Sequence, residues 1–216
     1  MSSSTFHHAL PTWEIAHLFP AQGTWSEEEY LGLTGNRLVE FSDGYVEVLP
    51  MPTTSHQALV AYLYGLLHAY ASKHGLGKVL FAPLRVRLWP DKFREPDLVF
   101  MMKAHSRRMG EEFWDRADLV MEVVSGDPED QKRDLVTKRR EYARAGIPEY
   151  WIVDPEKETV TVLSLAGKRY AVHGLFAKGS VAKSVLLPEF TVDVATALAE
   201  ATVTSRQSRK IRRPRQ

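Results

Sequence analysis

The chain contains no cysteine. That absence excludes disulfide scaffolds, thiolate zinc sites, iron–sulfur clusters and cysteine nucleophiles together. No apolar run approaches the ~20 residues that a bilayer-crossing helix needs. The N-terminus, MSSSTFHHALPTWEIAHLF, lacks a basic segment followed by an apolar one. A secretory leader is therefore not expected, and the cytoplasm is the default location. G-x-S-x-G, H-E-x-x-H, a P-loop and a dinucleotide-binding glycine pattern are also missing, which removes several enzyme classes. One stretch lacks acids altogether: residues 48–90 hold no Asp or Glu.

What is present reads as a globular protein. At 216 residues, 44% hydrophobic and 25% charged, the chain suits one α/β domain that can bury roughly 70% of its unfolded surface. The net charge of +1 conceals an asymmetry. Arg206, Arg209, Lys210, Arg212, Arg213 and Arg215 form a basic C-terminus without an acid. With those six of the 28 Lys+Arg set aside, 22 basic residues face 27 acidic ones over residues 1–205, a net of −5. Such a tail offers a salt-sensitive handle for a polyanion, or serves only as a solubilising extension. The expected layout is an irregular extension over 1–25, one domain over 26–200, and a basic, disordered tail over 201–216.

Along the domain, Ser26 and Glu29 have capping-box spacing and predict a short helix to about Leu33, closed by Gly35-Asn36. RLVEFSDGYVEVLPM predicts a hairpin turning at Asp43-Gly44. Residues 55–73 predict a helix with Leu59, Leu63, Leu66 and Tyr70 on one stripe, ended by Gly75 and Gly77. Strands follow at 79–89, 96–101 and 118–124, the last two nearly continuous apolar runs of the kind buried on both faces. Residues 130–145 predict an amphipathic helix capped by Gly146. EYWIVD, the hairpin TVTVLSLAGKRYAVHG, and VLLPEFTVDVATAL complete the domain.

Two acids break these apolar strands. Asp97 opens PDLVF, and Glu122 sits in LVMEVV on the same face as Val120 and Val124. A carboxylate buried there without a partner costs several kcal/mol, so it must meet a cation, a metal or a donor. If Asp97 and Glu122 lie on adjacent strands, their oxygens can converge on one divalent ion, and all-oxygen ligation suits Mg²⁺ or Mn²⁺. A buried ion pair accommodates the same pattern. Lys138 shares a helical stripe with Leu135 and Tyr142 and can reach the acids. The alternative for Lys138 is an exposed i,i+4 pair with Asp134.

These residues resemble the PD-(D/E)XK nuclease superfamily and, within it, the Uma-two family of predicted endonucleases. The matching stretches are Glu40-Phe41-Ser42-Asp43-Gly44, His56, Ala82-Pro83-Leu84, Pro96-Asp97-Leu98 and Leu119 through Ser125. Asp134, Lys138, Tyr142 and the run Gly146 through Pro155 continue the match, which covers about residues 26–198. The resemblance implies a restriction-endonuclease-like α/β fold with a central mixed β-sheet flanked by α-helices. It also implies Asp97 and Glu122 as metal ligands with the Val123 carbonyl. The superfamily's lysine normally lies two residues after the strand acid, where this chain has Val124, a departure that the Uma-two pattern shares. Lys138 is the substitute from the helix. The acid often found on the first helix has no counterpart in residues 48–90, which leaves Glu40 or His56 for that role.

The expected function is therefore a Mg²⁺- or Mn²⁺-dependent endonuclease on DNA, with RNA as second choice and no membrane partner. A homodimer is expected, since two-fold symmetry suits cutting both strands of a duplex. The alternatives are a catalytically inactive nucleic-acid-binding or assembly module on the same fold, and a small-molecule phosphodiesterase. For substrate grip, Arg85, Arg87 and Trp89 alternate onto one strand face, as phosphate and base contacts or as a solvated or interfacial face. Lys132, Arg133, Arg139, Arg140 and Arg144 make the 130–145 helix basic on its outer side, mainly for solvation, with contact to a phosphate backbone as the alternative. Tyr150 and Trp151 are read as core or dimer-interface residues.

Overall fold

The computed structural model describes residues 19–35, 37–124 and 133–208, the side chains of 133–134 and 202–208 excepted. Residues 1–18, Asn36, Ser125, Lys132 and 209–216 lie outside the described residues, as do the side chains of Arg133, Asp134 and Arg206.

Ser26 opens the first helix as its spacing to Glu29 predicts. The Glu29 N–H donates to the Ser26 hydroxyl at 3.2 Å, and the Ser26 N–H donates to the Glu29 carboxylate at 2.8 Å. Helix α1 (Glu27–Leu31) stops at Gly32, short of the expected Leu33. The reason is Arg85, whose guanidinium donates to the Leu31 and Leu33 carbonyls at 2.9 Å each and replaces a further helical turn. Strands β1 (Val39–Ser42) and β2 (Tyr45–Val48) form the expected hairpin. Its two turn residues, Asp43 and Gly44, both have positive φ (48° and 87°), as a type I′ turn requires.

Helix α2 (Thr54–Lys73) buries Leu59, Val60, Leu63, Leu67 and Ala71. The stripe thus runs at i, i+4 through Leu67 and Ala71, while Leu66 and Tyr70 are only partly buried. The inner face is turned this way because the sheet and helix α4 (Val194–Ser208) both pack on it. Helix α4 continues past the boundary expected at residue 200.

The run expected as one strand over 79–89 is two. Strands β3 (Gly77–Phe81) and β4 (Val86–Trp89) are separated at a cis Ala82-Pro83 bond and enter different sheets. Gly77 belongs to β3 rather than ending α2. A Cβ there would stand 1.9 Å from the Met101 carbonyl oxygen, so only glycine lets β3 close against its neighbour.

The remaining elements are β5 (Lys92–Arg94), β6 (Leu98–Met102), a 3₁₀ turn (Lys103–Arg108), β7 (Trp114–Asp115) and β8 (Leu119–Val123). They are followed by a wide π-type helical winding (Arg133–Lys138) that tightens into α3 (Arg139–Ala145). Strands β9 (Glu149–Asp154), β10 (Thr159–Ala166), β11 (Arg169–Ala177), β12 (Val181–Lys183) and β13 (Thr191–Asp193) lead into α4. Gly146 caps α3 at φ 79°, as expected.

The larger sheet has the order β11-β10-β9-β8-β6-β3, with β8 and β9 parallel and the other pairs antiparallel. The smaller has the order β2-β1-β5-β4-β7. One apolar core lies between the larger sheet and α2 with α4, and includes Leu63, Phe100, Met121, Trp151 and Leu198. A second fills the opposite face, where α3 and β4 pack, with Val99, Val120, Tyr142 and Ile152. Strands β6, β8 and β9 therefore point side chains into apolar surroundings on both faces, which explains their unalternating sequences. A third cluster of Trp25, Tyr30, Phe41 and Phe93 seats α1 on the smaller sheet.

Candidate active site

Between Arg94 and Leu98 the chain leaves the smaller sheet and enters the larger one. Asp97 stands at that crossing. Leu98 pairs with Met121 in an antiparallel register and the ladder ends there, so Asp97, one residue before β6, stands beside the Glu122–Val123 end of β8. The Val123 N–H donates to Asp97 Oδ2 at 2.8 Å, and His56 Nε2 lies 2.9 Å from Asp97 Oδ1. His56 reaches this point because Thr53 caps α2 and its hydroxyl receives the His56 N–H at 3.2 Å, fixing the first turn beside β6. The Asp97 side chain keeps 15% exposure, whereas Glu122 is buried.

Lys138 comes from the π-type winding and is buried too. Its Nζ donates to Glu122 Oε1 at 3.0 Å and stands 3.5 Å from Glu40 Oε1. Lys138 thus lies on the sheet-facing stripe. The Tyr142 hydroxyl, one turn on, donates to the same Glu122 oxygen at 2.6 Å. Burial, and next the nearby Glu122 charge, push the Tyr142 hydroxyl well above its ordinary value, so it stays a donor. All the residues read from the sequence as site candidates, Asp97, Glu122, Val123, Lys138, Glu40 and His56, meet in one connected cluster.

The sequence reading missed the layer beneath. Glu40 is fully buried and accepts from Arg94 Nη1 at 2.9 Å. Arg94 grips Glu141 with Nε at 2.7 Å and Nη2 at 3.0 Å, a two-pronged pair of the strongest kind. Lys92 Nζ completes it, 2.6 Å from Glu141 and 2.7 Å from Ser42 Oγ. Lys92 and Arg94 flank Phe93 in β5, a three-residue strand too short for periodicity to reveal. Glu141 follows Lys138 by three residues, the spacing that places both on one helix face.

Glu95 adds a titrating group. Its carboxylate accepts from the Val39 N–H at 2.9 Å and lies 3.9 Å from Arg85 Nε. Burial raises its pKa from 4.5 to about 7, against the opposing pull of the Val39 N–H and Arg85. The folded chain then holds a proton that the unfolded chain releases from pH 4.5 upward. Stability from this group is full below pH 4.5, falls as pH rises through about 7, and is lost above. Glu95→Gln is expected to flatten that slope and to gain on the order of 1–3 kcal/mol at pH 8. Urea unfolding at pH 5 and pH 8 checks it, and equal pH dependence in both proteins would contradict it.

Other polar residues have structural partners. Arg87 lies over the Phe113 ring at 4.7 Å and 3.3 Å from Glu27, and Arg144 covers Trp89 at 4.1 Å. The Arg85–Trp89 stripe is therefore an interfacial face. Glu149, as buried as Glu122, receives Trp151 Nε1, the Ser184 hydroxyl and the Val185 and Leu186 amides. Neutral donors satisfy it and tie down the loop before β13, whereas Glu122 faces an ammonium. Tyr150 and Trp151 are fully buried core.

Asp97 and Glu122 suit a hard cation. Among the described residues no group of three His, Asp or Glu side chains stands at metal-ligand spacing. A cation held by these two carboxylates would need backbone carbonyl and water to fill its shell, a mode that Mg²⁺ tolerates. Of the two acids, Asp97 is the one that solvent reaches.

The Uma2 family model, described as "Putative restriction endonuclease", matches residues 27–195. A crystal structure of a "putative nuclease belonging to DUF820" from Anabaena variabilis ATCC 29413 matches with a TM-score of 0.67 at 16% identity, over 82% of this chain and 99% of that one. That likeness shows the fold, which is restriction-endonuclease-like. No curated protein matches. Among the described residues no helix is long and apolar enough to cross a membrane.

Proposed function

The chain belongs to the Uma2 family of putative restriction endonucleases, and on that premise we propose that it hydrolyses DNA phosphodiester bonds with Mg²⁺ or Mn²⁺ at Asp97 and Glu122. One observation supports this reading above the rest: Asp97 accepts the Val123 N–H at 2.8 Å beside Glu122, and the Lys138 amine is 3.0 Å from Glu122. Asp97 and Glu122, with the Val123 carbonyl, would hold a divalent cation, which would polarise the phosphoryl oxygen and acidify a bound water. The chain's own groups do the rest. Lys138 neutralises charge that develops on the phosphate, Tyr142 and Glu40 hold Lys138 and Glu122 in place, and His56 orients Asp97.

The binding-module alternative drew its weight from Val124 standing where the superfamily has lysine. Lys138 supplies the amine that Val124 lacks. The intact protein is expected to nick supercoiled plasmid with Mg²⁺ or Mn²⁺ and to leave it intact in EDTA. Calorimetric Mn²⁺ titration is expected to show at least about tenfold weaker binding in Asp97→Ala and in Glu122→Ala, as loss of a principal ligand requires. Plasmid bound but uncut under every metal would move the assignment to the binding module.

A further inference from the structure

We propose that Phe81, backed by Tyr64 and His68, is a stacking platform for an unpaired nucleobase on the DNA strand whose phosphate lies at Asp97 and Glu122. The inference rests on the nuclease reading for that phosphate, and on the following geometry for the base.

Phe81 ends β3 and pairs with Leu98, the residue after Asp97. The next amide, Ala82 N–H, donates to the Asp97 carbonyl at 3.2 Å. The Phe81 backbone is thus tied beside that of Asp97, and its ring, turned to the α2 side with Leu98, is 49% exposed. Single exposed apolar residues are ordinary on protein surfaces. This one is continued by others. Tyr64 meets the Phe81 ring edge-on at 5.0 Å, and His68 stacks on Tyr64 at 5.2 Å. Tyr64 and His68 are one turn apart on α2, the helix whose first turn carries the histidine bonded to Asp97. The Tyr64 hydroxyl has no hydrogen-bond partner among the described residues.

Charge complementarity selects the occupant. Residues 48–90, which supply α2 and β3, contain no Asp or Glu but include Lys73 and Lys78. A phosphate backbone following this shoulder meets no carboxylate from it, while the rings offer a π-face that any base can use. A base inside a duplex is stacked on its neighbours and cannot lie on Phe81, so the platform favours a single-stranded or locally opened substrate.

The test uses the full chain in EDTA, where cleavage does not interfere. A single-stranded oligonucleotide carrying 2-aminopurine, and its duplex form, are titrated with intact protein, Phe81→Ala and Phe81→Trp. Phe81→Ala is expected to weaken single-strand binding about tenfold and to remove the 2-aminopurine quenching, with duplex binding unchanged. Phe81→Trp is expected to retain both. The exposure of Phe81 makes unfolding of these variants an unexpected outcome, checked by circular dichroism. Single-strand binding equal in Phe81→Ala and intact protein, an equal loss for duplex, or no single-strand binding by the intact protein would each overturn the platform. Phe81-dependent quenching without metal-dependent nicking would support the platform and overturn the nuclease reading.

Discussion

Lys138→Met is expected to lower DNA cleavage by about 10³-fold, the scale lost when a single preorganised charge-stabilising donor is removed. Methionine keeps most of the side-chain volume and deletes the ammonium. Its two nearest carboxylates are Glu122 at 3.0 Å and Glu40 at 3.5 Å, both buried. Without Lys138 they are left with less positive charge between them, and the fold is expected to lose about 3–5 kcal/mol. Cleavage must therefore be read at a temperature where circular dichroism shows the variant folded. Divalent-ion affinity separates a catalytic loss from a structural one. The ammonium competes with any ion for Glu122, so Mn²⁺ binding is expected to be unchanged or tighter in Lys138→Met, and Mg²⁺ is expected to restore part of the lost stability. A folded Lys138→Met protein that cuts plasmid at the intact rate would remove the lysine from the site.

The parts of this site that the sequence made legible are those where chemistry contradicts local context. An acid inside LVMEVV and another opening PDLVF cannot be ordinary core residues, and the two come together at one end of β6 and β8, where the Val123 N–H donates to Asp97. Lys138 and Tyr142 were legible for a related reason, since a stripe that mixes lysine with apolar residues needs something to receive the charge. The turn at Asp43-Gly44, the capping box at Ser26 and the cap at Gly146 are set by residues within four positions of one another, and all three formed. What depended on distant partners was not legible. The break at Ala82-Pro83 sends one apparent strand into two sheets, and the smaller sheet that receives β4 is assembled from pieces far apart in sequence. The stripe on α2 runs through Leu67 and Ala71 because α4 packs there, and nothing within residues 55–73 encodes that. Arg85 and Arg87 look like phosphate contacts in isolation, yet Leu31, Leu33, Glu27 and the Phe113 ring take them.

Arg94→Met is expected to destabilise the fold by about 3–5 kcal/mol. For a chain of this length that corresponds to a fall in melting temperature on the order of 10 °C. The guanidinium is almost wholly buried and joins strand β1, through Glu40, to helix α3, through Glu141. Removing it leaves Glu40 fully buried at 3.5 Å from Lys138 and Glu141 with Lys92. Arg94→Lys is expected to recover little, because a single ammonium cannot reproduce three directed contacts to two carboxylates. The cost lies in orphaned charge more than in lost attraction, so neutralising the partners should reverse it. Arg94→Met combined with Glu40→Gln and Glu141→Gln is expected to be more stable than Arg94→Met alone, a non-additivity that a mutant cycle reads directly. The same cycle separates scaffold from chemistry. Glu40 stands between Arg94 and Lys138, so a stable triple variant that cuts DNA slowly would mark Glu40 as the residue that positions the lysine. A stable triple variant with full activity would confine the Arg94 network to holding α3 against the smaller sheet. Loss of less than about 1 kcal/mol in Arg94→Met itself would contradict the network's role in stability.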